Sequence, residues 1–142
     1  MVVDITNGIT MTLGNLFEDC EIYTKNVEQG IETPCFFVQL LKPDNTPMIG
    51  TRRIMEYPYD VHFFPKDDGD NESMMDMGDA LIECLEYITL LNGRKVRGKE
   101  LSYEIIDGVL HFYVTYSVIL MDNRKDDPMK NYGLKVGVRN DK

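Results

Sequence analysis

Two histidines and three cysteines are the side chains of this sequence best suited to chemistry. If His62 and His111 faced each other with Glu104 and a cysteine such as Cys35, they could build a Cys/His site for a small hydrolase. Nothing in their spacing brings them together, and two histidines are too few for a His-rich metal site. The plain reading of His111 is a cross-strand partner of Glu104, a contact of a few tenths to about 1 kcal/mol. Cys20, Cys35 and Cys84 are odd in number and contain no CxxC pair, so zinc-ligand spacing is absent. They read as buried small hydrophobes, free thiols in a reducing cytosol.

Asp67, Asp68, Asp70 and Glu72 invite a calcium reading. Their spacing does not fit the EF-hand loop, because Gly69 comes too early and Asp79 stands where the closing glutamate belongs. A solvated turn is the expectation. No GxGxxG, Walker A, GxSxG or HExxH pattern occurs. Gly93–Gly98 (GRKVRG) is a short basic patch that could touch a phosphate. Met74, Met75 and Met77 could give an adaptable contact surface, although helix-core packing is the simpler role.

The elements that must position these residues follow from periodicity. Ile5, Ile9, Leu13, Leu16 and Phe17 recur at helical steps, predicting a helix over residues 5–18 with Asp4 as N-cap. Residues 21–24 suggest a short strand and residues 26–34 a loop. Residues 35–41 (CFFVQLL) are apolar enough for a buried strand. Pro43-Asp44-Asn45 is then a turn, and residues 49–64 a second strand closing an antiparallel hairpin. Tyr57, Tyr59, Val61 and Phe63 share one face of that strand, Asp60 and His62 the other. Pro58 marks a bulge or an edge. Ser73 and Asp76 resemble a capping box, predicting a helix to about Leu91 that Asn92-Gly93 stops. Its apolar stripe is Met74, Met77, Leu81, Cys84, Leu85 and Ile88; its acidic stripe is Glu72, Asp76, Asp79, Glu83 and Glu86.

Asp107-Gly108 is a strong two-residue hairpin signal, since both central positions of a type I′ turn need positive φ. The register it sets runs from Ile106 opposite Val109 outward to Leu101 opposite Val114. Leu101, Tyr103, Ile105, Leu110, Phe112 and Val114 then share an apolar face, with Ser102, Glu104, His111 and Tyr113 opposite. A one-residue slip would mix the two faces. The order helix, strands, helix, strands predicts an α+β domain: an antiparallel sheet of about four to five strands with two helices packed on one face. The domain spans residues 1–122, and residues 123–142 form a basic C-terminal arm.

The chain has 142 residues, the length of one domain, and a formal charge of −9. That acidity disfavours a primary nucleic-acid binder. No signal peptide or membrane helix is recognisable. Charge is polarised: residues 71–93 carry five acids and no base, residues 94–142 ten bases against seven acids. Unlike patches of this kind suit self-association. The plain reading of the acidic stripe is the solvent-facing side of a helix; the sharper one is a surface facing a polyanion that must slide past without sticking.

Four blocks occur in order: EQGIETPCFFVQLL (28–41), YPYDVHFFP (57–65), LIECLEYI (81–88) and EIIDGVLHFYVTY (104–116). In that order and spacing the chain resembles the small tail terminator (tail completion) proteins of long-tailed phages and prophages of Gram-positive bacteria, over about residues 5–122. The resemblance implies a structural role without enzymatic activity or cofactor. Such proteins form rings, commonly hexameric, that cap the head-proximal end of the tail tube, stop its polymerisation and offer the head-joining surface. Implied partners are further copies of the chain, the tail tube protein and a head-completion or stopper protein, while DNA passes through without specific binding and no membrane is involved. The implied location is the virion, after assembly in the host cytoplasm. On this reading Asp76, Asp79, Glu83 and Glu86 form a candidate subunit or lumen surface. Arg94, Lys95, Arg97, Arg124 and Lys125 form a candidate basic contact surface. The alternatives are another head–tail connector (stopper or adaptor), a small ligand-binding or hydrolase domain, and a monomeric regulatory protein directed at the host.

Overall fold

The computed structural model describes residues 1–24, 30–67 and 71–121. The proposed arm, with Arg124 and Lys125, and part of the 26–34 loop lie outside the described residues, as do Asp68 and Asp70 of the acidic turn.

Helix α1 (Val2–Leu16) buries Ile5, Ile9 and Leu13, the residues picked out by helical spacing. It starts earlier than its pattern implies. Asp4 is not the N-cap but sits in the first turn, 3.7 Å from the terminal ammonium, where a negative charge suits the positive end of the helix.

Strand β1 (Glu21–Tyr23) pairs in parallel with β2 (Cys35–Leu40). This corrects the all-antiparallel expectation: Glu21 lies opposite Cys35 and Tyr23 opposite Phe37, so the two strands run the same way. Strand β3 (Asp44–Pro47) occupies the place expected for a turn. The turn instead falls at residues 48–51, where the Met48 N–H donates to the Arg52 carbonyl and Gly50 has φ of 82°. From there β4 (Arg52–Phe64) runs back along both β3 and β2.

Pro58 lies mid-strand in β4, opposite Thr115 on one side and opposite the break between β2 and β3 on the other. A strand residue points its N–H and C=O to the same side. The Pro58 carbonyl accepts the Leu41 N–H at 2.8 Å, so the missing proline donor faces that break. A proline is thereby tolerated in a central strand.

Helix α2 (Asn71–Leu85) ends six residues short of the predicted Leu91, and Ser73 is its third residue rather than its cap. Tyr87–Thr89 forms strand β5, exposed, buried and exposed in turn. Strand period therefore overrides the helical placing of Ile88, and aromatic and β-branched side chains favour it. Asn92-Gly93 turns the chain into β6 (Lys95–Ile106) rather than capping a helix.

The hairpin to β7 (Val109–Met121) adopts the predicted register from Ile106↔Val109 to Ser102↔Tyr113. Asp107 and Gly108 have φ of 51° and 77°. Leu101 opposite Val114 does not hold. An extra residue enters β6 between Lys99 and Ser102, with Glu100 at φ 56°, so a bulge shifts the register there.

The seven strands form one mixed sheet in the order β1-β2-β4-β7-β6-β5, with β3 also on β4. The fold is α+β as expected, but four to five strands understates the sheet: the short strand expected at residues 21–24 is β1, whereas β3 and β5 are too short to stand out as hydrophobic runs. Both helices cover one face, and their apolar stripes share a single core with Phe36, Tyr59, Val61, Phe112 and Tyr116. No helix among the described residues is long and apolar enough to cross a membrane.

Candidate functional site

The acidic stripe of α2 lies on the molecular surface. Asp76, Asp79 and Glu83 are exposed and Glu86, one residue past the helix, is half-buried. Two of the four are engaged within the chain. The Tyr103 hydroxyl donates to Asp79 Oδ1 at 3.0 Å, and Arg97 Nη2 lies 3.5 Å from Glu86 Oε2. Asp76 and Glu83 carry no ion pair among the described residues.

The basic patch is not a helix end. Arg94 and Lys95 flank the β5–β6 turn and are exposed, with the Arg94 N–H held by Asn92 Oδ1 at 2.9 Å. Arg97 sits further along β6 with its guanidinium 5.8 Å from the centre of the Tyr87 ring.

The sheet exposes backbone at unlike edges. On one side β1 is outermost; on the other, β5 pairs only with Lys95–Arg97. Residues 102–106 of β6 have β7 as their one strand partner among the described residues. Exposed Met11, Tyr87 and Leu91 border the β5 edge. At the far end of β3, β4 and β7, Ile49 is 93% exposed and Ile119 and Met121 are also exposed. These apolar side chains have no core role.

The sheet face away from the helices holds an arrangement the spacing gave no reason to expect. His62 and His111 are direct partners across β4 and β7, with ring centres 4.5 Å apart. Asp60, two residues before His62 and on the same face, is buried between them. Its Oδ2 lies 2.8 Å from His62 Nε2 and 3.1 Å from His111 Nδ1. The two histidines, which nothing in their spacing brought together, thus meet across the sheet. Glu104 is opposite His111 in register, but its Oε2 accepts the Tyr113 hydroxyl at 2.9 Å instead. Burial, helped by that bond, pushes the Tyr113 phenol up to about 12. Phe37 and Tyr113 flank the pair with ring centres 6.4 Å from His62 and His111 respectively. Asp60 is the residue sequence reasoning missed. The Asp-x-His spacing at strand period was visible, but the pairing of β4 with β7, more than forty residues apart in the chain, was not.

The cysteines do not join this cluster. Burial raises the thiol pKa of all three, Cys84 to about 11, which opposes the thiolate a nucleophile needs. Met74 is buried in the core and Met77 packs against it, as expected of helix-core residues, whereas Met75 is exposed.

Comparison with known proteins agrees with the residue blocks. No curated protein matches the chain. A family profile described as phage tail terminator protein matches residues 4–129. The match takes in nearly all of α1 and every strand through β7. This is a structural, virion-assembly family, and the chain belongs to it: it is a member of the phage tail terminator protein family.

Proposed function

We propose that copies of this chain close into a ring on the head-proximal end of the tail tube, end tube polymerisation and present the surface to which the filled head joins. Family membership over residues 4–129 is the observation that carries this reading. A closed ring needs head-to-tail contacts between unlike surfaces, and the fold has surfaces of that kind. The β1 edge differs from the β5–β6 edge, and an unpaired edge is open to a strand from a neighbour. Asp76, Asp79 and Glu83 on α2 supply an acidic face that can meet Arg94 and Lys95 of the next copy or line the DNA passage. An acidic lumen repels phosphate and lets DNA pass. Ile49, Ile119 and Met121 suit the apolar part of a contact with the tube or the head-completion protein.

Native mass spectrometry of the full chain, alone and with tail tube protein, tests the ring. Electron microscopy of tails made without the chain tests the cap. A ring, together with overlong or headless tails in its absence, is expected. A chain that stays monomeric beside the tube, and tails of unchanged length and head joining without it, would overturn the reading.

A further inference from the structure

We propose that Asp60, His62 and His111 bind one divalent transition-metal ion of the zinc class, which pins β4 to β7 on the sheet face away from the helices. The inference is independent of ring formation. One ligand atom from each of Asp60, His62 and His111 converges on a common point, all within 4.8 Å of one another. The two shorter separations are 2.8 and 3.1 Å. In a tetrahedral zinc site, bonds of about 2.0–2.1 Å place neighbouring ligand atoms roughly 3.3 Å apart. The two Asp60 contacts therefore need to open by only a few tenths of an ångström to reach ligand spacing. Both rings can remain neutral, each moving its proton to the nitrogen turned away from the ion.

Two further observations favour an ion. Asp60 is only 7% exposed, and its Oδ1 is buried without a hydrogen-bond partner among the described residues. Such an oxygen costs free energy, and a cation on the carboxylate offsets that cost. The histidine side chains are 20% and 19% exposed, which gives the ion a route in and leaves a fourth position for water. Two imidazoles and one carboxylate suit zinc, cobalt or nickel rather than calcium or magnesium, which prefer oxygen ligands. The backbone pairing of His62 with His111 and the flanking Phe37 and Tyr113 rings hold the ligands in place, as supporting groups do in metal sites.

The full-length protein, stripped with chelator, is titrated with Zn2+ against a chromophoric competitor and separately with Co2+. One ion per chain is expected, with a cobalt spectrum free of thiolate charge transfer. His62→Gln and His111→Gln should each weaken binding about a hundredfold or more, since even outer-shell losses cost about 10–100-fold. The chain has two histidines in all, so histidine NMR signals of the wild-type protein report on this site alone and require no variant to fold. Both must shift on adding one equivalent of Zn2+. No uptake, unshifted histidines, a thiolate band or full binding by both folded variants would overturn the proposal.

Discussion

Arg97 and Glu86 meet within a single chain, Nη2 to Oε2 at 3.5 Å, where β6 runs beside the end of α2. The acidic and basic surfaces therefore touch and partly neutralise each other inside one copy. What remains to attract a neighbour in the proposed ring is Asp76, Asp79 and Glu83 on the helix and Arg94 and Lys95 at the turn. Charge reversal separates the two groups. Asp76→Lys with Glu83→Lys should abolish ring formation in native mass spectrometry while leaving the melting temperature near that of wild type, since both side chains are exposed. Glu86→Gln should leave the ring intact and change stability by no more than about 1 kcal/mol, the range for solvent-exposed pairs. Rings that persist in the double reversal would remove this helix face from the subunit contact.

Gly98 sits where β6 leaves β7 to join β5, and the fork depends on its lack of a side chain. A Cβ there would lie 2.6 Å from Val114 Cγ2, 3.1 Å from the Tyr116 ring and 3.3 Å from the Leu85 carbonyl oxygen. Val114 and Tyr116 are both buried, so neither has open space to move into. Gly98→Ala should destabilise the protein by about 1–3 kcal/mol, the usual cost of overpacking. Urea unfolding reads this as a lower midpoint at unchanged slope. An unchanged midpoint would show that the fork does not rely on this close approach.

The parts of the fold legible in the sequence were those fixed by neighbours in the chain. The Asp107-Gly108 turn sets its own register, and Ile5, Ile9 and Leu13 declare a helix by spacing. Whatever depends on distant partners was hidden. Pro43-Asp44-Asn45 carries turn chemistry, yet Asp44 and Asn45 pair with Glu56 and Met55 because β4 is long enough to hold a second strand. Ile88 continues the helical stripe of α2, yet pairing with Val96 draws it into a strand. The Asp60–His62–His111 cluster fails to show for the same reason. Its two halves meet through the β4–β7 ladder, whose register no local signal specifies. The acidic and basic candidate residues were legible as surface, but the internal pairing of Glu86 with Arg97 was not.

Lys99 on β6 forms an ion pair with Glu56 on β4 across the intervening β7, where Ser117 donates to the same carboxylate oxygen at 3.2 Å. The hydrogen bond from Lys99 leads the effects that hold the Glu56 carboxyl below its ordinary pKa, with Ser117 assisting. A depressed folded value stabilises the native state above the unfolded pKa, and that stabilisation is lost as pH falls through the folded one. Lys99→Met should raise the Glu56 pKa in a carbon-detected NMR titration and leave stability at neutral pH almost unchanged, since the pair is solvent-screened. A Glu56 titration identical in wild type and variant would show that the pair does not form in solution.

Tyr116 ties β7 to the end of α2. Its hydroxyl donates to the Leu85 carbonyl at 2.6 Å, and its side chain is fully buried against Tyr59 with ring centres 6.2 Å apart. Leu85 ends the helix, so its carbonyl has no partner within the helix and takes this one. Tyr116→Phe keeps the ring and its packing but strands a buried acceptor, a loss of about 1–3 kcal/mol. Tyr113→Phe is the matched control. Its hydroxyl bonds to Glu104 at an exposed position, where removing the group should change stability by about 0.5 kcal/mol or less. Urea unfolding of the two variants should therefore separate clearly. Equal, small effects would mean that water reaches the Leu85 carbonyl and that the α2 terminus is held by packing alone.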